Sequence, residues 1–424
     1  MITDHPLRYE LANELHARPF PSLAVPGTAA FLAIKRAEDA ASRDRAHDRA
    51  HLIALLDRYG APHPQPGATH YFGKLGRHLL KWEQHTEFVT YTAFCENLSD
   101  RPFDPVDFDV FPGDWLEKAP GDRVTSALIR VAPMADKEQV VAHCNDWFVP
   151  ESLASSRVLD DAGVIAGDFR IDPAGHLRFA VFVAPGTGAR RIGRIVTRLC
   201  EIETYKSLSM LGFARTKELA VRLAMLDGQL TSLMDQMTSD DNSADETLTG
   251  LLRTSAELER MVARNSFRFG ATAAYEAIVH DRIQVLREHR FDGRQTFNEF
   301  MMRRYDPAMR TVKSTERRLA AMADRAIRAG ELLRTRVDVE RSAQNQKLLE
   351  SMDRRADLQL RLQKTVEGLS VVAISYYAVS LASYAAYPLA GALGLSKAEL
   401  TAALTVPVVG AVWWMLRRIQ KKMH

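Results

Sequence analysis

Short apolar runs alternate with amphipathic segments in the first half of the chain, a pattern typical of mixed strands and helices. We predict strands at residues 29–35, 79–94, 123–131, 164–171 and 176–183. Helices are predicted at residues 43–59, 137–147 and 190–211. The turn-forming sequence DPAG at residues 172–175 is predicted to join the last two strands into a hairpin. Because strands that follow each other in sequence favour antiparallel pairing, we predict an α+β domain over residues 1–212.

The second half carries almost no strand pattern, and residues 213–366 are predicted to form a helical, coiled-coil-like region. A polar linker at 238–245 and breaks near 291–293 and 305–307 divide it. From about Met309 the chain is predicted to continue as one long helix. Its apolar positions follow heptad-like spacing at Val312, Leu319, Met322, Ala326, Leu333 and Val337, and resume at Leu348, Leu349, Met352, Leu362, Val366 and Leu369. Such a helix packs on partner helices, either in the same chain or in another copy.

Two long runs without any charge lie near the C-terminus, at residues 368–396 and 400–416. A helix needs about 20 apolar residues to cross the hydrocarbon core of a bilayer. We therefore predict a transmembrane hairpin over residues 367–416, with spans at about 368–391 and 400–416. The alternative is a buried core hairpin in a soluble protein, which is less favoured because such runs are rare in soluble helices. Two prolines are predicted to end or kink these helices, Pro388 and Pro407.

Basic residues precede and follow the predicted hairpin, whereas the connection between its two spans carries almost none. Those before the first span are Arg354, Arg355, Arg361 and Lys364, and those after the second are Arg417, Arg418, Lys421 and Lys422. The connection between the spans carries only Lys397, which Glu399 offsets. By the positive-inside rule, both termini are predicted to face the cytoplasm, including a basic tail at 417–424. Four residues are predicted to anchor the hairpin at the membrane interface: Trp413, Trp414, Arg417 and Arg418.

Polar side chains form a stripe along the first predicted span. Tyr376, Ser380, Ser383 and Tyr387 follow the spacing of one helical face. Small and hydroxylated residues suit close helix packing in lipid, and we favour this role over the lining of a pore. Glu367 lies at the cytoplasmic mouth of the span, where an ionisable group is either interfacial or faces a bundle axis.

The densest polar cluster in the first half is the segment KWEQHTE at residues 81–87. On a single strand, Glu83, His85 and Glu87 would project to one side. Two carboxylates around an imidazole can bind a divalent cation. They can equally form a buried polar network with an arginine, and we favour this interpretation over a metal or catalytic site.

The net charge, the cysteines and the motifs of the chain exclude several classes of function. The chain has 424 residues and a formal net charge of +3, which gives no electrostatic footprint for nucleic acid. Its three cysteines, Cys95, Cys144 and Cys200, form no C-x-x-C motif, so a disulfide framework is not expected. The N-terminus lacks the pattern of a cleaved secretory signal. None of the common hydrolase, kinase or phosphate-loop motifs is present, so we expect no enzyme and assign no cofactor.

Three segments resemble a family of bacterial membrane proteins of unknown function and of about this length. They are HARPFPSL near the N-terminus, KWEQHTEFVTYTAF at residues 81–94, and the segment from LLRTRVDVERSAQNQ to GLSVVAISYY. The resemblance covers essentially the whole chain. It implies a location in the bacterial inner membrane but no activity.

The predicted layout is also similar to that of CorA-type divalent-cation channels. Those proteins combine a cytoplasmic α/β domain, a long helix and two spans, and they assemble as rings with the first span around the pore. Their Gly-Met-Asn loop signature is absent, because the connection here reads ALGLSK at residues 392–397. No selectivity residue can therefore be transferred from that family.

These patterns together predict a homo-oligomeric integral membrane protein with a large cytoplasmic domain. CorA-like transport of a divalent cation is the most concrete mechanism. The alternative is a non-transporting scaffold whose soluble body binds a partner. A membrane-bound enzyme using Glu83, His85 and Glu87 ranks last, because no nucleophile or cofactor motif accompanies them.

Overall fold

A computed structural model describes residues 2–14, 20–37, 43–238, 244–393 and 396–423. The strands are β1 (Gly27–Lys35), β2 (His70–Leu75), β3 (His78–Gln84), β4 (Phe88–Cys95), β5 (Asp122–Pro133), β6 (Ala154–Val158), β7 (Gly163–Gly167), β8 (Leu177–Val183) and β9 (His289–Arg290). The helices are α1 (Arg8–Glu14), α2 (Arg45–Arg58), α3 (Gly113–Leu116), α4 (Lys137–Trp147), α5 (Ala189–Thr238), α6 (Ala244–Leu286), α7 (Phe297–Arg304), α8 (Asp306–Leu393) and α9 (Lys397–Met423). The prediction of an α+β region followed by long helices is confirmed.

All the strands belong to one sheet, in the order β2-β3-β4-β1-β5-β8-β7-β6-β9. Neighbouring strands are antiparallel except β5 and β8, which are parallel. The mainly antiparallel character and the hairpin of β7 and β8 are therefore as predicted. β7 ends at Gly167 rather than near residue 171.

The predicted single strand at residues 79–94 is wrong. The chain reverses at His85–Glu87, so that β3 and β4 form a hairpin in which Trp82 lies opposite Tyr91. The His85 amide donates to the Phe88 carbonyl at 2.9 Å and closes the turn. The segment contains no Gly, Pro or Asn to mark a turn, and its β-forming residues read as one run.

The two faces of the sheet differ in chemistry. One face is apolar and packs with α2 and α4 into a core that includes Trp82, Tyr91 and Trp115. The opposite face lies beneath α5, which contacts β1, β5 and β8. On that face β3 and β4 carry charged and hydroxyl side chains, because side chains alternate along each strand.

Several helical predictions are tested directly. The long helix from about Met309 is confirmed as α8, which begins at Asp306 and contains 88 residues. The break near 305–307 is a single residue, Tyr305, between α7 and α8. Of the two outcomes predicted for the prolines, a helix end is excluded, since Pro388 and Pro407 lie inside α8 and α9. α5 passes through residue 212, so no helix end marks the predicted boundary there.

The chain divides into two compact units. The first comprises Met1–Asn242 and Thr249–Ala329 and contains the sheet. The second comprises Ser243–Leu248 and Gly330–His424. Residues 239–243 of the predicted linker, residues 16–19 at the start of the HARPFPSL motif, and residues 394–395 of the connection lie outside the described residues.

Candidate functional site

Glu87 lies at the end of the β3–β4 turn and its side chain has no solvent exposure. Arg268 of α6 donates to both carboxylate oxygens, at 2.6 and 3.2 Å. The hydroxyl of Tyr275 donates to the same carboxylate at 2.6 Å, and Lys35 Nζ lies 3.5 Å from it. The carboxylate therefore joins the sheet to helix α6 through a buried ionic network.

The ionisation of these groups follows from burial and pairing. Burial acts to raise the pKa of Glu87, but the hydrogen bonds from Arg268 and Tyr275 and the nearby cations outweigh it, so this pKa lies below its ordinary value. Burial and the charge of Arg268 lower the pKa of Lys35. Burial and the hydrogen bond to Glu87 raise the pKa of Tyr275, which keeps the phenol protonated as a donor.

A second buried ion pair, between Arg43 and Asp48, also stabilises the β3–β4 turn. Arg43 Nε lies 2.8 Å from Asp48 Oδ2, and the guanidinium also donates to the carbonyl oxygens of His85, Thr86 and Phe88. Four backbone or carboxylate acceptors thus converge on one cation. These contacts explain why the chain turns here, although the local sequence predicts a continuous strand.

The predicted trio of Glu83, His85 and Glu87 does not converge on a common point. Glu83 pairs with Lys81 at 2.9 Å, whereas Glu87 is enclosed by Arg268, Tyr275 and Lys35. The His85 ring stacks on Phe88, with centroids 4.2 Å apart. Among the described residues, no group of three or more His, Cys, Asp or Glu side chains is arranged to hold a metal ion.

Glu83 and His85 instead border a cavity of about 280 Å³ between the polar face of the sheet and helix α5. The sheet contributes Phe31, Lys81, Glu83, His85, Phe88, Thr90 and Thr92. The helices contribute Thr197, Arg198, Cys200, Glu201, Thr204, Tyr205 and Arg282, and Phe20 completes the lining. We call this cavity the polar pocket. Thr90 and Thr92 lie directly opposite Glu83 and Lys81 in the strand register.

The helical wall of the polar pocket is built around Glu201. Arg198 donates to Glu201 Oε2 at 2.5 Å, and Arg282 Nε lies 2.7 Å from the same oxygen. The Arg282 contact is an ion pair by distance, but its N–H is not aligned for a hydrogen bond. Thr197 Oγ1 is buried and makes no hydrogen bond within the described part of the chain.

Sequence patterns indicated only part of this site. Glu201 and Tyr205 are four positions apart on one face of α5, and both line the pocket. Arg198, Arg268 and Arg282 were missed. The available signal is the run of polar residues on the inward face of α5, where an apolar stripe is expected for a helix packed on a sheet.

The residues of the polar stripe predicted on the first span differ in their exposure in the structure. Ser383 is 3% exposed and Ser380 is half-buried, but Tyr376 is 70% exposed. Tyr387 is half-buried, with Lys397 Nζ 5.3 Å from its ring centroid. Glu367 is half-buried and accepts a hydrogen bond from the Gln363 amide at 3.1 Å.

Helices α8 and α9 each contain a window long and apolar enough to cross a membrane, with a mean hydropathy of 1.5. Only 11% of each window is buried. The rings of Trp413 and Trp414 are exposed, and the guanidinium groups of Arg417 and Arg418 lie over them at 4.5 and 5.3 Å. Both indole rings and both cations thus lie together near the end of α9.

The structure thus defines a protein with an α+β body, a polar pocket, and a pair of apolar C-terminal helices compatible with membrane association. The chain belongs to the family described as "Protein of unknown function (DUF3422)", which matches residues 3–423. No curated protein matches the chain.

Proposed function

We propose that this protein is a membrane-anchored, self-assembling binding protein. The hairpin of α8 and α9 crosses the bacterial inner membrane twice, at about residues 368–391 and 400–416. Both termini, and the α+β body with its polar pocket, lie on the cytoplasmic side. The body binds its partner or ligand at the membrane surface, and no chemical reaction is assigned to it.

The apolar surface of the two helices is the observation that carries this proposal. A core helix of a soluble protein is mostly buried, whereas only 11% of each apolar window is buried here. Long apolar helix surfaces that remain exposed are unfavourable in water and mark contact with a membrane or another protein. Tryptophan and arginine at the end of α9 suit the interfacial layer of a bilayer.

Cell fractionation tests the anchoring directly. We expect the full-length protein to sediment with membranes and to remain there after an alkaline carbonate wash, because integral segments are held by burial of apolar surface rather than by ionic contacts. Release by the wash, or recovery in the soluble fraction without detergent, would contradict the proposal.

Self-assembly is supported by the exposed part of α8 before the first span. Every residue from 338 to 366 is exposed. A heptad register over residues 345–369 has core positions at Asn345, Leu348, Met352, Arg355, Gln359, Leu362, Val366 and Leu369. Nine charged residues occur in this range, and eight of them lie outside both the core and its flanking positions. The stripe of core positions, here called the seam, is therefore apolar except for Asn345, Arg355 and Gln359.

Another copy of this chain is the partner that the seam fits best. Anchoring in one bilayer would hold all copies parallel and at the same height, so equivalent core positions would meet. The positions that flank the core in each heptad, e and g, carry no charges and include Leu349 and Leu358. The apolar stripe is therefore wider than a contact between two helices requires. We therefore propose a parallel assembly of more than two copies.

Serine substitutions in the seam are expected to break up the assembly. The double variant Leu348→Ser and Leu362→Ser should lose most cross-linked oligomer in detergent, because two of the three core leucines are removed. Leu360→Ser is the matched control, since Leu360 is 56% exposed but lies outside the core positions. Equal loss of oligomer in the control, or full retention in the double variant, would rule out this seam.

Transport of a divalent cation is the second candidate, and the observation that favours it is the continuity of α8. One helix runs from Asp306 through the first apolar window to Leu393, as in CorA-type channels. Liposomes containing the purified protein separate the two candidates. Flux of Mg²⁺ or Co²⁺ above that of empty liposomes would favour transport, and its absence in verified oligomers would favour the binding protein.

A further inference from the structure

We propose that the polar pocket binds a small organic anion, with a carboxylate or phosphate group held by Arg282, Arg198 and the hydroxyl of Thr197. This assignment goes beyond membrane anchoring and assembly, which hold whether or not the pocket has a ligand. Three observations carry it: the balance of charge, the unfilled hydrogen-bond donors, and the composition of the walls.

The charges that line the polar pocket do not cancel. Lys81 pairs with Glu83, but Arg198 and Arg282 share the single carboxylate of Glu201 and contact the same oxygen atom. Three cations therefore face two carboxylates. The Arg282 side chain is 30% exposed, so its surplus charge is accessible to an anion that enters the pocket. An anionic ligand supplies the opposite charge.

Unfilled donors lie on the helical wall of the same pocket. Thr197 is 5% exposed, and its hydroxyl has no hydrogen-bond partner among the described residues. Arg198 Nε is likewise buried without a hydrogen bond, whereas Arg282 Nε contacts Glu201 Oε2 at 2.7 Å in a poorly aligned ion pair. Leaving a buried polar group without a hydrogen-bond partner is unfavourable. Two such donors beside one cavity, next to the Arg282 cation, are an arrangement that an oxyanion satisfies, and guanidinium groups match the geometry of carboxylate and phosphate.

The opposite wall favours an organic anion over a simple ion. Phe31 and Phe88 line this wall, together with the smaller side chains of Thr90 and Thr92. The volume of about 280 Å³ is near the lower limit of small-molecule sites. A cationic ligand would meet the arginines, and a neutral one would leave the surplus charge uncompensated. The pocket therefore suits a charged head group on a small, partly apolar body.

Calorimetric titration of the full-length protein in detergent tests this assignment. The anionic probes are benzoate, succinate and inorganic phosphate, with benzamide as the neutral counterpart of benzoate and choline as a cation. We expect binding of at least one organic anion and none of benzamide or choline. Arg282→Gln should weaken that binding tenfold or more, because it removes the surplus cation while Arg198 remains paired with Glu201.

Two further variants separate a binding role from a structural one. Thr197→Val keeps the shape of the side chain but removes the hydroxyl, and should weaken anion binding several-fold, while Thr197→Ser should retain it. Arg317→Gln is the charge-matched control, because Arg317 is exposed on α8 and outside the pocket. If Arg282→Gln fails to fold, as judged by near-ultraviolet circular dichroism, the threonine variants decide the question.

The assignment is overturned by any of three results. The unaltered protein binds neither benzoate nor succinate, benzamide binds as tightly as benzoate, or folded Arg282→Gln and Thr197→Val proteins both bind the anion as the unaltered protein does.

Discussion

Replacement of Glu87 by alanine is expected to lower the free energy of unfolding of the α+β body by about 3–5 kcal/mol. The substitution leaves Arg268 and Lys35 as buried cations without their shared counter-charge, and the Tyr275 hydroxyl without its acceptor. Denaturant unfolding of the detergent-solubilised protein, followed by tryptophan fluorescence, measures the loss. Trp82 and Trp115 are suitable reporters because both are fully buried in the apolar core.

An exposed ion pair provides the control for Glu87. Glu218 pairs with Arg215 at 2.6 Å, but its side chain is 63% exposed, so Glu218→Ala should change stability little. An equal loss in the two variants would show that the buried network contributes nothing special to the fold.

The pH dependence of stability adds a second signature of Glu87. Because its folded-state pKa lies below the ordinary value of 4.5, its contribution is present above about pH 4.5 and is lost as the pH falls below that value. Glu87→Gln should therefore flatten the stability profile in this acidic range. A profile identical to that of the unaltered protein would contradict the pairing.

Arginine at exposed positions of the apolar helices is expected to prevent stable membrane insertion. Leu381 and Val406 lie near the middle of the two proposed spans and are 70% and 78% exposed. An arginine at the centre of a spanning helix costs about 2.5–3.5 kcal/mol, whereas exposed positions in water tolerate such changes within about 0.5 kcal/mol. The double variant Leu381→Arg and Val406→Arg should therefore leave the carbonate-resistant membrane fraction.

The chain offers controls of equal exposure outside the proposed spans. Val221 on α5 is 81% exposed and Leu332 on α8 is 68% exposed. Val221→Arg and Leu332→Arg should remain in the membrane fraction. If the double variant Leu381→Arg and Val406→Arg also remained in the carbonate-resistant membrane fraction, these two positions would not face the bilayer core. The proposed spans would then be contradicted.

The candidate site was predictable only in part, as Glu83 and Glu87 illustrate. Their charge and spacing singled out the right segment, and a network with an arginine was preferred over a metal site. The geometry assumed for that network was wrong, because the turn at His85 separates the two carboxylates. Glu87 reaches Arg268, which is 181 positions away in sequence, and nothing in the local pattern indicates that pairing.

The sequence alone determined the α+β body, the long helix predicted from about Met309, and the two apolar helices. These features follow from the periodicity of apolar residues and the length of uncharged runs, which are local properties of the chain. Only the tertiary structure decided where β3 turns back, which cations enclose Glu87, and that Arg198 and Arg282 share Glu201. The physical reason is that pairing of buried charges depends on residues far apart in sequence, while the apolar pattern only determines which faces become buried.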